Sequence, residues 1–379
     1  MNEHLLLIGP LPPPHGGASV SFKLFCEYVT THCGANYRVT VIDSKTGDKF
    51  STSIFSAGML FKILQLLVLI AYRSWTADRI VIFGSQRFIT YVGSLVPFLY
   101  RPLGKRVFLR IFGGGYDLYY ENASPLMKFI IRKIMGRAEA IIVQTELVRT
   151  KMVDIWPSNV FSIPNYRPLV AYDPKKRDFK KDSTVFIYAG TIHKLKGCEE
   201  LLNAFLELNQ LLVDNRKTMQ TRLDLFGQHV SLKKYSLDLS KYKQYSNIVF
   251  HGLVSNDKLI QKYVESDVFV FPTYWPTEGH SGAVIEALMH GLPVITTNWR
   301  AMTEVVQHGV NGLLCELQDV SSLTQAMYRM CTDLSERRRL SEGARSSAMR
   351  FNHQSVCAQL IDLVELDATT PAVTSTEQQ

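Results

Sequence analysis

Apolar runs of four to seven residues, each cut by glycine, proline or a polar turn, alternate along the chain with longer stretches of helical spacing. In the first half, residues 4–9, 37–43, 79–83, 107–112, 140–144 and 160–163 read as strands, and residues 19–29, 54–72 and 88–100 as helices. In the second half, residues 184–190, 222–226, 248–251, 268–271 and 293–296 read as strands. Helical patterns there cover 198–212, 257–266, 281–289, 318–334, 334–351 and 356–366. Both halves open with strand, glycine-containing turn and helix, the start of a doubly wound α/β domain whose ligands sit beyond the carboxyl ends of the strands. Between them, PLVAYDPKKRDFKKD is charged, proline-containing and aperiodic, as a linker is. The expected organisation is two Rossmann-like α/β domains facing across a cleft. Residues 1–167 form the first, 168–182 the linker and 183–353 the second. A helix over 354–367 is expected to pack back on the first domain, and the polar tail, 368–379, to be disordered.

The stretch FPTYWPTEGHSGAVIEALMHG, residues 271–291, carries the densest chemistry. Strand, Pro- and Gly-rich loop and helix start follow one another, with Glu278 on the loop and Glu286 one turn into the helix. Ser281 suits the N-cap, and Gly282 leaves the first backbone N–H groups open to a ligand. A helix start of this kind favours an anion such as phosphate. The same two acids could equally do no more than complement the helix dipole. In the first half, Gly16-Gly17 lets a ligand approach the backbone, and Gly113-Gly114-Gly115 is followed by Asp117, a base candidate or a loop carboxylate that caps a helix.

Composition narrows the class. A hydrophobic content of 46% and a charged content of 20% belong to a folded globular chain, and 379 residues exceed one ordinary core. The formal charge of +8 suits an anionic partner, whether nucleotide, phospholipid or nucleic acid, and is also compatible with a plain solvated surface. Six scattered cysteines without a Cys-x-x-Cys pair argue against a zinc site or disulfide framework and for a reducing compartment. MNEHLLLIGP lacks a basic start and a long apolar core, so it reads as a first strand and not as a signal peptide. Residues 54–72 are the most apolar, yet their uninterrupted part, 66–72, is too short to span a bilayer. They suit a buried helix or one whose apolar side dips into a membrane surface. Lys128, Arg132, Lys133 and Arg137 share one side of a regular helix, and Arg101, Lys105, Arg106 and Arg110 lie near the apolar stretch before them. Such sets fit solvated faces and also an anionic membrane surface.

Four segments in order resemble one family. Glu278 and Glu286, with seven residues between them, look like the E-x7-E motif of retaining glycosyltransferases. Ile163-Pro164-Asn165 resembles an I-P-N-G segment. YAGTIHKLKG resembles a phosphate loop that usually reads G-R-L-x-x-x-K-G, and EVVQHGVNGLL, residues 304–314, resembles the segment that usually follows the motif. The resemblance is to GT-B fold enzymes of family 4, glycosyl transferases group 1, of the bacterial polysaccharide and lipopolysaccharide kind. It covers most of the second half, and the first half in topology and its Gly-Gly loop. It implies that Glu278 lies near the donor sugar as the catalytic acid group, and that Glu286 binds the ribose. Ser281, Gly282 and Ala283 would offer N–H groups to the diphosphate, with Gly190, Thr191 and Lys196 in the phosphate loop. Gly16 and Gly17 would approach the diphosphate from the other domain, Gly252 and Leu253 would lie near the base, and His280 near the sugar. The sequence departs from the pattern at Thr191, where an Arg is usual, at His280, where an aromatic is usual, and at Tyr166, where a Gly is usual.

The resemblance implies transfer of a sugar from a UDP- or GDP-sugar to a saccharide, with a lipid-linked one as the leading acceptor class, and with retention of configuration. Breaking a sugar–phosphate bond leaves negative charge on a diphosphate, which a helix start and a lysine stabilise without a metal. No Asp-x-Asp and no His/Asp cluster for a divalent ion occurs, so no metal is expected, and the resemblance implies no cofactor and no nucleic-acid partner. A cytoplasmic protein, peripheral on the inner face of the plasma membrane, would suit that acceptor. Competing readings are a glycosidase with paired carboxylates, a nucleotide-sugar epimerase, and a non-catalytic nucleotide-sugar-binding protein.

Overall fold

The computed structural model describes residues 3–13, 16–45, 57–157, 159–171, 179, 182–230 and 235–366, with the main-chain course alone for 57–63. The chain divides into two units, Met1–Pro164 with His353–Gln379, and Asn165–Asn352. His15, residues 54–56, most of the expected linker and the polar tail fall outside the described residues.

The first unit runs β1 (Glu3–Gly9), α1 (Gly17–His32), β2 (Tyr37–Asp43), α2 (Ala57–Thr76), β3 (Arg79–Ser85), α3 (Gln86–Phe88), α4 (Leu95–Tyr100), β4 (Arg106–Phe112), α5 (Tyr116–Glu121), α6 (Pro125–Phe129), β5 (Ala140–Val143), α7 (Glu146–Met152) and β6 (Val160–Ser162). Its sheet is parallel, in the order β2-β1-β3-β4-β5-β6. Strands covered on both faces need continuous apolar runs, and β3, β4 and β5 are buried almost throughout. Leu66 and Ile70 of α2, Val96 and Tyr100 of α4, and Ile131 and Met135 after α6 pack in one cluster with Ile80, Ile82 and Leu109 of the sheet. Phe22 and Phe25 of α1 sit on Phe83, ring centroids 5.1 and 5.0 Å away.

Two expected regular helices are broken. Residues 88–100 become α3, a π-helical turn over Ile89–Gly93, and α4. Pro97 has no N–H to give, so it is tolerated only in a first turn, and the helix restarts at Leu95. The segment carrying Lys128, Arg132, Lys133 and Arg137 passes from α6 into a π-helical turn, Ile130–Ile134, and a 3-10 turn, Met135–Arg137. There the buried indole of Trp156 donates to the Ile131 carbonyl at 3.0 Å. A tertiary donor at that carbonyl competes with the regular ladder, so the four cations do not share the side of one α-helix.

The second unit runs β7 (Ser183–Ala189), α8 (Cys198–Asp214), β8 (Gln220–Phe226), β9 (Ile248–Gly252), α9 (Asn256–Glu265), β10 (Val268–Phe271), α10 (Gly282–Met289), β11 (Val294–Thr297), α11 (Met302–Val305), β12 (Gly312–Cys315), α12 (Val320–Thr332) and α13 (Leu334–Ala348). Its parallel sheet has the order β12-β11-β10-β7-β8-β9. The chain thus leaves β7 on one side through β8 and β9, then returns on the other side as β10, which makes the gap between β7 and β10 the topological switch point. β12 was not among the expected strands. It closes on β11 because Gly312 has no side chain: a Cβ there would stand 2.0 Å from the Val294 carbonyl oxygen.

After the second unit, α14 (His353–Glu365) belongs to the first. It packs on α1, and the Val364 carbonyl accepts from the buried guanidinium of Arg79. The six cysteines are free and buried, and burial pushes the Cys26 thiol up to about 12. Among the described residues no helix is long and apolar enough to cross a membrane.

Candidate functional site

The loops that follow β7 and β10 meet at the switch point. After β7, Gly190 (φ +153°) turns the chain away, and the Tyr188 hydroxyl donates to the Thr191 carbonyl at 2.7 Å. His193 then caps a 3-10 turn, Lys194–Lys196, its Nδ1 accepting from Leu195 N at 3.1 Å. Burial first, then the nearby Lys196, holds the His193 pKa below its ordinary value, so this ring stays neutral at pH 7. Gly197 ends the turn at φ +70° and starts α8. A Cβ on it would lie 2.0 Å from the Pro272 carbonyl oxygen, and Tyr274 N donates to the Leu195 carbonyl at 3.0 Å. The two loops are therefore locked together by backbone.

Gly197→Ala is expected to cost roughly 2–4 kcal/mol, since left-handed strain and a backbone clash add. Gly309→Ala, also at positive φ but with nothing within 4 Å, meets only the strain. Urea unfolding of the two variants checks this, and equal losses would refute the packing argument.

Lys196 Nζ reaches Glu278 Oε2 in an ion pair across this contact, with Thr273 Oγ1 donating to the same oxygen at 2.9 Å. The ammonium also stands 5.3 Å from the ring centroids of both Phe271 and Trp275. Glu278 is 8% exposed, so the pair is largely out of water. At the start of α10, Ser281 occupies the N-cap position, but its side chain makes no capping bond. Gly282 opens the helix and, with Ala283, is half-buried. The first-turn N–H groups of α10 are accordingly without a side-chain acceptor from the cap.

Glu286, one turn on, does not stand alone. Arg167 Nε donates to Glu286 Oε1 at 2.6 Å, and its Nη1 donates to the Tyr166 carbonyl at 2.8 Å. The Arg167 side chain is 6% exposed, and that of Glu286 is 27% exposed. A Cβ on Gly282 would lie 1.8 Å from Arg167 Nη2, so the guanidinium runs along the face of α10 from Glu286 to the helix start. Tyr263 of α9 adjoins this pair: burial, then Glu286, pushes its phenol well above the usual range. Asn165 Nδ2 donates to the His280 carbonyl at 3.0 Å, and His280 Nε2 is 3.0 Å from Glu304 Oε2. The buried His280 ring stands edge-on to Phe351. Two acids thus each hold one cation beside one helix start, Glu278 with Lys196 and Glu286 with Arg167. Arg167 is the residue that sequence reasoning missed.

The remaining candidates lie as follows. Gly190 N donates to Phe226 O and Gly227 N to Gly252 O, which ties together the ends of β7, β8 and β9. Gly252 (φ +68°) ends β9 and the 76%-exposed Leu253 follows it, beside His251, whose ring stacks on Phe226 at 4.2 Å. Gly16 and Gly17 stand at the start of α1 and Asp117 is buried in the first turn of α5, all three in the first unit. Among the described residues no group of three or more His, Cys, Asp or Glu is arranged to hold a metal ion.

Two ion-paired cations thus flank a helix start at the switch point of an α/β domain. Residues 171–347 match the model of the family described as glycosyl transferases group 1. Over this segment the chain is similar to that family. One curated relative, the capsular polysaccharide biosynthesis glycosyltransferase CapM of Staphylococcus aureus, is 29% identical over 192 residues, which is 50% of this chain and 47% of that protein. The chain spans less than half the length of the first curated relatives it matches, 38% and 47%. Among solved structures, sucrose-phosphate synthase from Thermosynechococcus elongatus is similar with a TM-score of 0.70 at 19% identity, over 96% of this chain and 98% of that one. Anabaena HepE in complex with UDP and glucose is similar with a TM-score of 0.69 at 15% identity, over 96% and 99%. The two parallel six-stranded sheets with their helices are the α/β fold of these GT-B structures.

Proposed function

We propose that the protein is a glycosyltransferase that moves a sugar from a UDP- or GDP-sugar to a saccharide acceptor, foremost a lipid-linked one, with retention and without a metal. The observation that carries this reading is the Lys196–Glu278 pair bridging the loops at the switch point, beside the start of α10. The family match over 171–347 supports it. So does the similarity to Anabaena HepE, a structure in complex with UDP-glucose.

In this reading the donor diphosphate docks on the N–H groups of Ser281, Gly282 and Ala283 and takes Lys196 from Glu278. Glu278 is then free for the sugar, while Glu286, still held by Arg167, binds the ribose hydroxyls. The sugar C1–O bond breaks with its electron pair passing to the diphosphate oxygen, where the helix start and the ammonium stabilise it. The acceptor oxygen bonds C1 from the same face and gives its proton to the departing phosphate. Asp117 and the Gly16-Gly17 turn are proposed to serve the acceptor and donor from the first unit.

Thermal-shift screening against UDP-, GDP- and ADP-sugars tests the first step. A ligand at about 100 times its Kd stabilises by roughly 2.7 kcal/mol, so one nucleotide series should raise Tm by several degrees. Proton NMR of the product should then show the donor's anomeric configuration, with turnover unchanged by EDTA. Failure of every nucleotide sugar to shift Tm would remove the proposal, inversion would remove retention, and loss of turnover in EDTA would remove metal independence.

A further inference from the structure

One helical layer in the first unit joins an apolar outer side to an absence of acidic residues. Residues 57–76, 86–106 and 122–138, which hold α2, α3, α4, α6 and the turns around them, contain no Asp or Glu at all. Their buried sides pack on the same core cluster, and the Tyr100 hydroxyl donates to the Ala71 carbonyl at 2.8 Å, joining α4 to α2. Their outer sides are apolar. Leu64, Val68, Tyr72 and Trp75 follow one another at helical spacing along α2, and each is 58–68% exposed. Phe98 and Leu99 of α4 and Leu126 and Phe129 of α6 are also exposed.

Cations surround these side chains. Arg73, Arg87, Arg132, Lys133 and Arg137 are exposed on the same segments, and the Arg137 guanidinium lies 5.1 Å over the Phe98 ring. The nearest carboxylates, Asp78, Glu121 and Glu139, fall just outside the three segments, and Glu139 is already paired with Arg101 and Arg106. An exposed apolar area of several large side chains marks a contact surface on a monomer. Water would be the wrong neighbour for the tryptophan and the leucines, and a typical protein partner would leave the cations without acids. An anionic bilayer satisfies both at once, since acyl chains take the apolar residues and headgroups take the arginines and lysines. Tyr72 and Trp75 have the amphipathic rings that favour the headgroup level.

We propose that this outer layer, centred on α2 and α4, docks on the surface of an anionic lipid bilayer without spanning it. The inference is independent of the transfer reaction and can fail separately from it. The test is co-sedimentation of the full chain with vesicles of phosphatidylcholine alone and of phosphatidylcholine with roughly three parts in ten phosphatidylglycerol, at low and high salt. The expected result is at least about tenfold tighter binding to the anionic vesicles at low salt. Brominated lipids should quench tryptophan fluorescence in the wild type, and Trp75→Phe should remove most of that quenching. Arg132→Glu with Lys133→Glu should release the protein from anionic vesicles, with circular dichroism confirming an intact fold. Binding that ignores lipid charge, no binding to anionic vesicles, or quenching that survives Trp75→Phe would overturn the proposal. So would a solution dimer that Trp75→Glu dissociates, because the layer would then serve a second copy of the chain.

Discussion

Glu278→Gln is expected to lower turnover by a factor of about a thousand or more while leaving nucleotide affinity within a few fold. The substitution keeps the shape of the side chain and its bond from Thr273 Oγ1, which is 2.9 Å from Oε2. It removes the negative charge that the proposed mechanism uses beside a sugar carbon becoming positive, and loss of one such electrostatic contact costs on the order of a hundred- to a thousandfold or more. The nucleotide should notice little. Its diphosphate would meet a Lys196 no longer held by a carboxylate, so affinity could even rise. Single-turnover kinetics and calorimetry with the nucleoside diphosphate separate the two effects. Undiminished turnover would end the assignment of Glu278, and parallel loss of binding and turnover would make it a binding residue only.

The second large effect is expected at Arg167. Its removal strips Glu286 of the guanidinium that holds it at 2.6 Å and empties the space over Gly282. Deleting one partner of a buried ion pair costs about 3–5 kcal/mol. Glu286 is 27% exposed, so the lower part of that range or somewhat less is expected for Arg167→Ala. Nucleotide binding should weaken too, because the carboxylate proposed for the ribose loses its fixed orientation. Gly282→Ala attacks the same contact from the other side. Its Cβ would push aside a buried, hydrogen-bonded guanidinium, so stability should fall by less than in Arg167→Ala while binding suffers. A double-mutant cycle measures the overlap. If the two substitutions act through one contact their effects on affinity are less than additive, and strict additivity would show that the contact does not matter for the ligand.

The difference between these two residues also shows what the sequence could reveal. Glu278 announces itself because strand, loop and helix start are local features, and a proline and two glycines mark them within a few positions. Lys196 was legible only through the resemblance of its loop, YAGTIHKLKG, to a phosphate loop, because a single lysine in a turn reads as a surface charge. Arg167 has no such signal. It follows an irregular Pro-Asn-Tyr, has no periodicity, and meets its partner 119 residues later. The sheets were readable because doubly covered parallel strands must be continuous apolar runs. The helix over 88–100 and the single helical side given to Lys128, Arg132, Lys133 and Arg137 were misread in form, since Pro97 and the indole of Trp156 act on the backbone from outside the local pattern. Gly312 hid β12 because an isolated glycine weakens a strand pattern, and only the neighbouring Val294 carbonyl explains it.

The attachment of α14 to the first unit has a consequence for biosynthesis. A ribosome releases β1 to β6 first, then the whole of Asn165–Asn352, and only afterwards the helix that covers α1 and takes the Arg79 guanidinium. The second unit is contiguous and can close as soon as it has emerged, as domains generally do during synthesis. The first must wait, with the α1 surface that α14 will cover exposed through the making of nearly two hundred further residues. In the cell the earlier-made unit is therefore the later one to mature, and it is the one whose nascent form chaperones have most reason to hold.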